Sequence, residues 1–313
     1  MSNPDDGGIG YWLRWQVAIC AFIVVGPGVA AACIIIKKSR AAETLYYSDL
    51  WKSCWRCLNP LYLLVFRAFA LVCLAPVLYG VAAVDGIFTY YFYTQWTFTL
   101  VMVYFALGTV ISAYGCYWES QNQSPSGAGT AEASLFLETG LDDIDKGGRG
   151  IRGTDETVQL KAGFWGYLML TVYQTCGGAV ILTDIVFWCL LLPFQSDEHF
   201  HLDVLMGCIH SLNVAFLILD TILNNLPFPW FGFLYFVLWS CVYMVFQWAL
   251  HVGGISGWPY EFLELNTPWA PLWYFAIAVV HVPFYGMYVL LVKAKYSLLP
   301  KWFPGAFVSR SYH

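Results

Sequence analysis

Seven stretches of this chain run for 20 residues or more with almost no ionisable side chain: Trp12–Ile36, Leu61–Val84, Ile87–Tyr114, Phe164–Pro193, Val204–Leu223, Phe231–His251 and Pro271–Val292. A helix needs about 20 apolar residues to cross the hydrocarbon core of a bilayer. Such a helix satisfies all of its own backbone hydrogen bonds, as lipid requires. The predicted fold class is therefore all-α, a polytopic transmembrane helix bundle of about seven spans. Composition supports it: 59% of the 313 residues are hydrophobic, 11% are charged and the mean hydropathy is +0.60. A soluble domain carries about 25% charged residues to face water, so most of this surface needs lipid instead. Fifteen Trp and 21 Tyr suit the membrane–water interface, where one end of the ring is dry and the other wet.

The chain divides into three regions. Residues 1–58 hold the first span and a basic juxtamembrane segment, residues 59–295 the main bundle, and residues 296–313 a tail. Within the bundle, residues 119–162 read as a flexible polar loop: they carry Ser-Pro-Ser-Gly-Ala-Gly, Lys-Gly-Gly-Arg-Gly and the acidic cluster Asp142, Asp143 and Asp145. Lys and Arg are retained on the cytoplasmic side of membranes. Of the 15 basic residues, 13 fall after spans one, three and seven; the loops around Asp85, Asp197–Asp203 and Glu261–Glu264 contain none. The consistent orientation has the N-terminus outside and the C-terminus cytoplasmic. The sequon Asn122-Gln123-Ser124 then lies inside and is predicted to stay unmodified.

Several classes are disfavoured. A net charge of −5 argues against nucleic acid as a partner. Most of the ten Cys lie in apolar runs, where they act as small hydrophobes and build no disulfide framework. No cleavable signal peptide is expected, because Asp5 and Asp6 precede the first apolar run. The Asp-Arg-Tyr and Asn-Pro-x-x-Tyr marks of G-protein-coupled receptors are missing after spans three and seven. Cys54 and Cys57 have CxxC spacing, but a zinc site needs two more ligands and none is near in sequence. His210 and His281 offer one imidazole pair without a haem pattern around it. No cofactor and no metal is expected, membrane lipids are the expected partners, and nothing in the sequence sets an oligomeric state. Gly26-Pro27-Gly28 reads as a kink in span one.

Ionisable groups in a bilayer are costly unless they face the bundle interior, so each is a candidate for function. Here they are Arg67, Asp184, His210, Asp220 and His281, with Thr94 and His251 near the outer boundary. Arg67 and Asp220 share the inner half and are expected to pair structurally. Thr94 is nine residues beyond Asp85, and His210 is seven beyond Asp203. A rise of 1.5 Å per helical residue puts both roughly 10–13 Å below the outer boundary, at one level. Asp184 lies in the same outer half and could orient the imidazole, with Ser211 and Asn213 as further hydrogen-bonding groups. A neutral imidazole can take the proton of a Thr hydroxyl and make it a nucleophile.

Three segments resemble those of a membrane family that includes the androgen-induced and androgen-dependent hydrolases, the Rolling stone proteins and plant relatives. Tyr93-Thr94-Gln95-Trp96-Thr97-Phe98 resembles its aromatic/Leu-Thr-x-aromatic segment. His210-Ser211-Leu212-Asn213-Val214-Ala215-Phe216-Leu217-Ile218-Leu219-Asp220 resembles its His-Thr segment, with the acidic residue at the same spacing. Gly257-Trp258-Pro259-Tyr260-Glu261-Phe262-Leu263, preceded by His251, resembles its Trp-x-Tyr-Pro-Phe-Leu signature. The resemblance covers roughly residues 60 to 295 and implies a six-span core to which span one is an addition. It further implies a Thr nucleophile at Thr94 and a His base at His210, cleaving fatty acid esters of hydroxy fatty acids. Glu261 replaces the family's Pro, and Ser211 its Thr; Thr97 and Thr99 leave the nucleophile open by one turn. The extra span and long loop are closer to the Rolling stone and plant branch. Two readings follow: a lipid ester hydrolase, or a non-catalytic membrane scaffold or adhesion protein of the same fold.

Overall fold

The computed structural model describes residues 9–38, 45–122, 161–194, 204–255 and 257–307. Most of the predicted polar loop, including Asp142, Asp143 and Asp145, lies outside the described residues, as do Asp197–Asp203, two sequon residues and the last six of the tail. The described chain is helical, and its only extended pairings are the isolated bridges Tyr46–Lys161 and Trp55–Phe307. Its main helices are α1 (Trp15–Lys38), α2 (Tyr47–Trp51), α3 (Pro60–Asp85), α4 (Tyr93–Asn122), α5 (Phe164–Ile185), α6 (Val204–Ile209), α7 (Leu212–Leu223), α8 (Phe233–Val252) and α9 (Ala270–Trp302). With α6 and α7 taken as one span, seven segments are long and apolar enough to cross a membrane. The protein is an all-α polytopic bundle.

The centre of the bundle is α5. In its most apolar stretch 61% of residues are buried, against 11% for α1, so α5 is ringed by protein while α1 lies at the edge. It packs on α4, α7, α8 and α9. Lipid tails are as apolar as Leu, so helices associate in a bilayer through close packing and small residues rather than through the hydrophobic effect. Gly177 and Gly178 supply that closeness: a Cβ on either would stand 2.6 Å from the ring of Phe228 or Phe236.

One end of the bundle gathers Lys52, Arg56, Lys161, Lys295 and Lys301, and is closed by the segment 45–58. Asn59 caps α3 by accepting from the Leu61 amide at 2.9 Å. Ser53 Oγ and the Cys54 amide donate to the Leu223 carbonyl, and the Trp55 indole to Ile222, so this segment occupies carbonyls that α7 leaves open at its C-terminus. The expected Arg67–Asp220 pair is present, at 2.9 Å with both side chains fully buried. Arg67 also donates to the Leu50 carbonyl and to Ser112, while Tyr104 and Asn224 donate to Asp220.

Two spans differ from the helices expected of them. The apolar run of the third begins at Ile87, but residues Gly86–Tyr91 form a 3-10 turn and α4 begins at Tyr93. The turn is held by another helix, α8: the Tyr91 carbonyl accepts from Tyr243 Oη at 2.9 Å and Gln247 Nε2 at 2.7 Å. Thr94 therefore stands in the first turn of α4, and its depth cannot be counted as nine helical residues from Asp85. The fifth span is broken at His210 and Ser211. In a continuous helix the Val214 amide would donate to the His210 carbonyl. Here Asn213 Oδ1 takes the Val214 amide at 2.7 Å, and the Trp188 indole takes the His210 carbonyl at 2.9 Å. By contrast, α1 runs unbroken through Pro27.

Candidate functional site

The helices α8 and α9 follow one another in the chain; their backbones stay apart and they meet through side chains, among them Ser240 with His281 and Trp248 with Tyr274. Each leans on α1 and α5, and a cavity of about 650 Å³ remains between them. Its wall runs along α9 from Trp273 to Phe284, roughly 17 Å at 1.5 Å per residue. Ile23, Val24 and Pro27 of α1 close one side, and the 3-10 turn Glu261–Leu263 with Tyr260 covers one end. Nearly all of the lining is hydrocarbon and aromatic, interrupted by a few polar groups, among them Thr94, Ser240, His210 and His281.

Thr94 and His210 both line this cavity and are more than nine-tenths buried. Among the described residues no hydrogen bond joins them. Thr97 and Thr99 do not line it: Thr97 is fully buried, and Thr99 donates to Tyr90 Oη at 3.3 Å. Because α4 starts at Tyr93, its first-turn amides have no partner within the helix. Tyr260 reaches this helix start. Burial pushes its phenol up to about 12, opposed by contacts with the Thr94 hydroxyl and with the Tyr93 and Thr94 backbone, which favour the ionised form.

His210 is held by its surroundings rather than by its own helix. After Ile185, α5 continues as a π-helical turn, Val186–Leu191, a distortion frequent at functional sites. That turn presents Phe187, whose ring stacks on the imidazole with centroids 3.7 Å apart and planes 1° apart. Among the described residues His210 Nδ1 makes no hydrogen bond; it lies 3.8 Å from Asp184 Oδ1, too far for a hydrogen bond but within reach of an ion pair when the imidazole is charged. The same carboxylate oxygen accepts from Asn213 Nδ2 and from Thr183 Oγ1, each at 3.3 Å. Ser211 contributes backbone bonds at the break; its hydroxyl makes none among the described residues.

A second polar group in the cavity has tighter geometry. His281 Nε2 is 2.9 Å from Ser240 Oγ, and Ser240 Oγ is 2.9 Å from Tyr93 Oη. His281 Nδ1 lies 2.6 Å from the Ile277 carbonyl. The sequence singles out His281 but not Ser240, whose only local signal is a hydroxyl inside an apolar run, and it presents Tyr93 only as the aromatic residue before Thr94.

The remaining flagged residues lie elsewhere. Asp220 belongs to the Arg67 network. His251 is caged by Tyr11, Trp12 and Trp258. Cys54 is buried against the Ile222 carbonyl while Cys57 is exposed, and no cluster of three His, Cys, Asp or Glu forms among the described residues. No protein-family model, no curated protein and no solved structure matches the chain.

Proposed function

We propose that this multi-pass membrane protein is a lipid ester hydrolase of the kind its three motif segments resemble, with Thr94 as nucleophile and His210 as base. One observation carries the reading. The segments bearing Thr94, His210 and Tyr260 are far apart in the chain, yet each contributes to the wall of a single apolar cavity. An amphipathic ester with long acyl chains suits hydrocarbon walls with a few polar groups among them. In this reading Thr94 Oγ1 attacks the acyl carbon as His210 takes its proton. His210 then returns the proton to the leaving alcohol, and water releases the acyl group. Asp184, anchored by Asn213 and Thr183, would draw close to the imidazole once it becomes charged. The first-turn amides of α4 and the Tyr260 hydroxyl, which contacts Thr94, are the candidate donors to an oxyanion forming at Thr94. The orientation of the sequence reading opens this end toward the outer leaflet.

Hydrolysis of a fatty acid ester of a hydroxy fatty acid by the purified protein tests the proposal. His210→Ala is expected to lower the rate by roughly 10²–10⁴-fold, the range for losing acid–base assistance, and Thr94→Ala, which removes the nucleophile itself, by at least as much. The second reading, a non-catalytic scaffold, is favoured by the missing hydrogen bond between Thr94 and His210. Wild-type protein that folds, binds the ester and does not cleave it would establish the scaffold.

A further inference from the structure

The proposed function leaves Ser240, His281 and Tyr93 unused, although they form the best-aligned hydroxyl–imidazole group in the cavity. Each belongs to a different helix: Ser240 to α8, His281 to α9 and Tyr93 to the start of α4. Hydrogen-bond roles along the chain are dictated from one end. A carbonyl can only accept, so the short contact to Ile277 places a proton on His281 Nδ1. In the neutral ring Nε2 is then the acceptor, and Ser240 is its donor. Tyr93 in turn donates to Ser240. This is the order that general-base activation needs: a hydroxyl with its proton on the base, and a base fixed in one tautomer by a third group. Ser240 is only half-buried, and its remaining exposure is toward the cavity it lines.

We propose that Ser240 and His281 are a second nucleophile–base pair, accepting acyl groups from the same class of long-chain ester, with Tyr93 as a positioning residue. The proposal rests on reading the cavity as a lipid ester site, but it does not depend on Thr94. Ser240 Oγ bonds to the acyl carbon as its proton passes to His281 Nε2. The bond from that carbon to the alcohol oxygen breaks, and the departing alkoxide takes the proton from His281. Water entering the cavity then attacks the acyl-serine carbon and gives a proton to His281. The bond to Ser240 breaks, the serine oxygen recovers that proton, and the carboxylic acid leaves.

Labelling with a long-chain alkyl fluorophosphonate, with the adduct located by peptide mass spectrometry, tests the pair. The expected result is an adduct on Ser240 in wild type and in Thr94→Ala. Ser240→Ala should carry none at that position, Ser240→Thr should restore part of it, and His281→Asn should slow labelling at least tenfold. Tyr93→Phe should slow labelling while the melting temperature in detergent stays close to wild type, a separation that a purely structural role would not give. An adduct on Thr94 alone overturns this proposal and leaves the proposed function standing. Cooperatively melting protein that binds the ester yet is labelled at neither hydroxyl overturns both.

Discussion

Arg67 shows what a buried charge demands of its neighbours. Its guanidinium has no exposure, and it is answered by a carboxylate, a serine hydroxyl and a backbone carbonyl from three other parts of the chain. Asp220 is met on its second oxygen by Tyr104 and Asn224. Removing one member of a buried ion pair strands the other charge, at a cost of about 3–5 kcal/mol. Arg67→Met and Asp220→Leu should each destabilise on that scale, and the double replacement should cost less than the two singles summed. Equilibrium unfolding in mixed detergent micelles would measure all three. The CxxC pair makes a second prediction at this scale. Burial pushes the Cys54 thiol up, whereas Cys57 is exposed. A raised thiol pKa means less thiolate at neutral pH, and the thiolate is the reactive form. Maleimide should therefore modify Cys57 much faster than Cys54 in the folded protein.

At the scale of elements, the seven spans could be read from the sequence because continuous hydrophobicity is a local property. The two departures, at Gly86–Tyr91 and at His210–Ser211, each depend on a partner more than 20 residues away, and the second also on the neighbouring Asn213. Tyr243 and Gln247 hold the first, and Trp188 with Asn213 makes the second favourable. Nothing within either segment announces its distant partner, so counting residues gives Thr94 a helical depth that the chain does not have. The same holds for the site. His281 was conspicuous as a titratable group in an apolar run, but its pairing with Ser240 exists only once α8 and α9 stand side by side. The segment 45–58 illustrates packing at this scale. A Cβ on Gly115 of α4 would collide with the Trp51 indole of α2. Gly115→Ala is expected to lift this segment off the bundle, read as faster alkylation of Cys54 with little change at Cys57.

For the whole molecule, the cavity is a product of arrangement rather than of any one helix. α1 is the span that the resemblance marks as an addition, yet Ile23, Val24 and Pro27 form one of its walls. Filling the space should exclude a lipid without disturbing the polar groups. Ala276 lines the cavity on α9, so Ala276→Trp should reduce crosslinking of a photoactivatable long-chain ester severalfold while the protein still melts cooperatively.

The central position of α5 also bears on how the protein is made. This helix carries Gln174, Thr175, Thr183 and Asp184, all buried in the finished bundle. Of its four packing neighbours, only α4 precedes it in the chain. As the nascent polypeptide leaves the ribosome, span four reaches the translocon before the helices that will enclose it exist. Its amide and carboxylate must be sheltered by the insertion machinery until the last three spans arrive, which makes late synthesis the vulnerable stage in the protein's biogenesis.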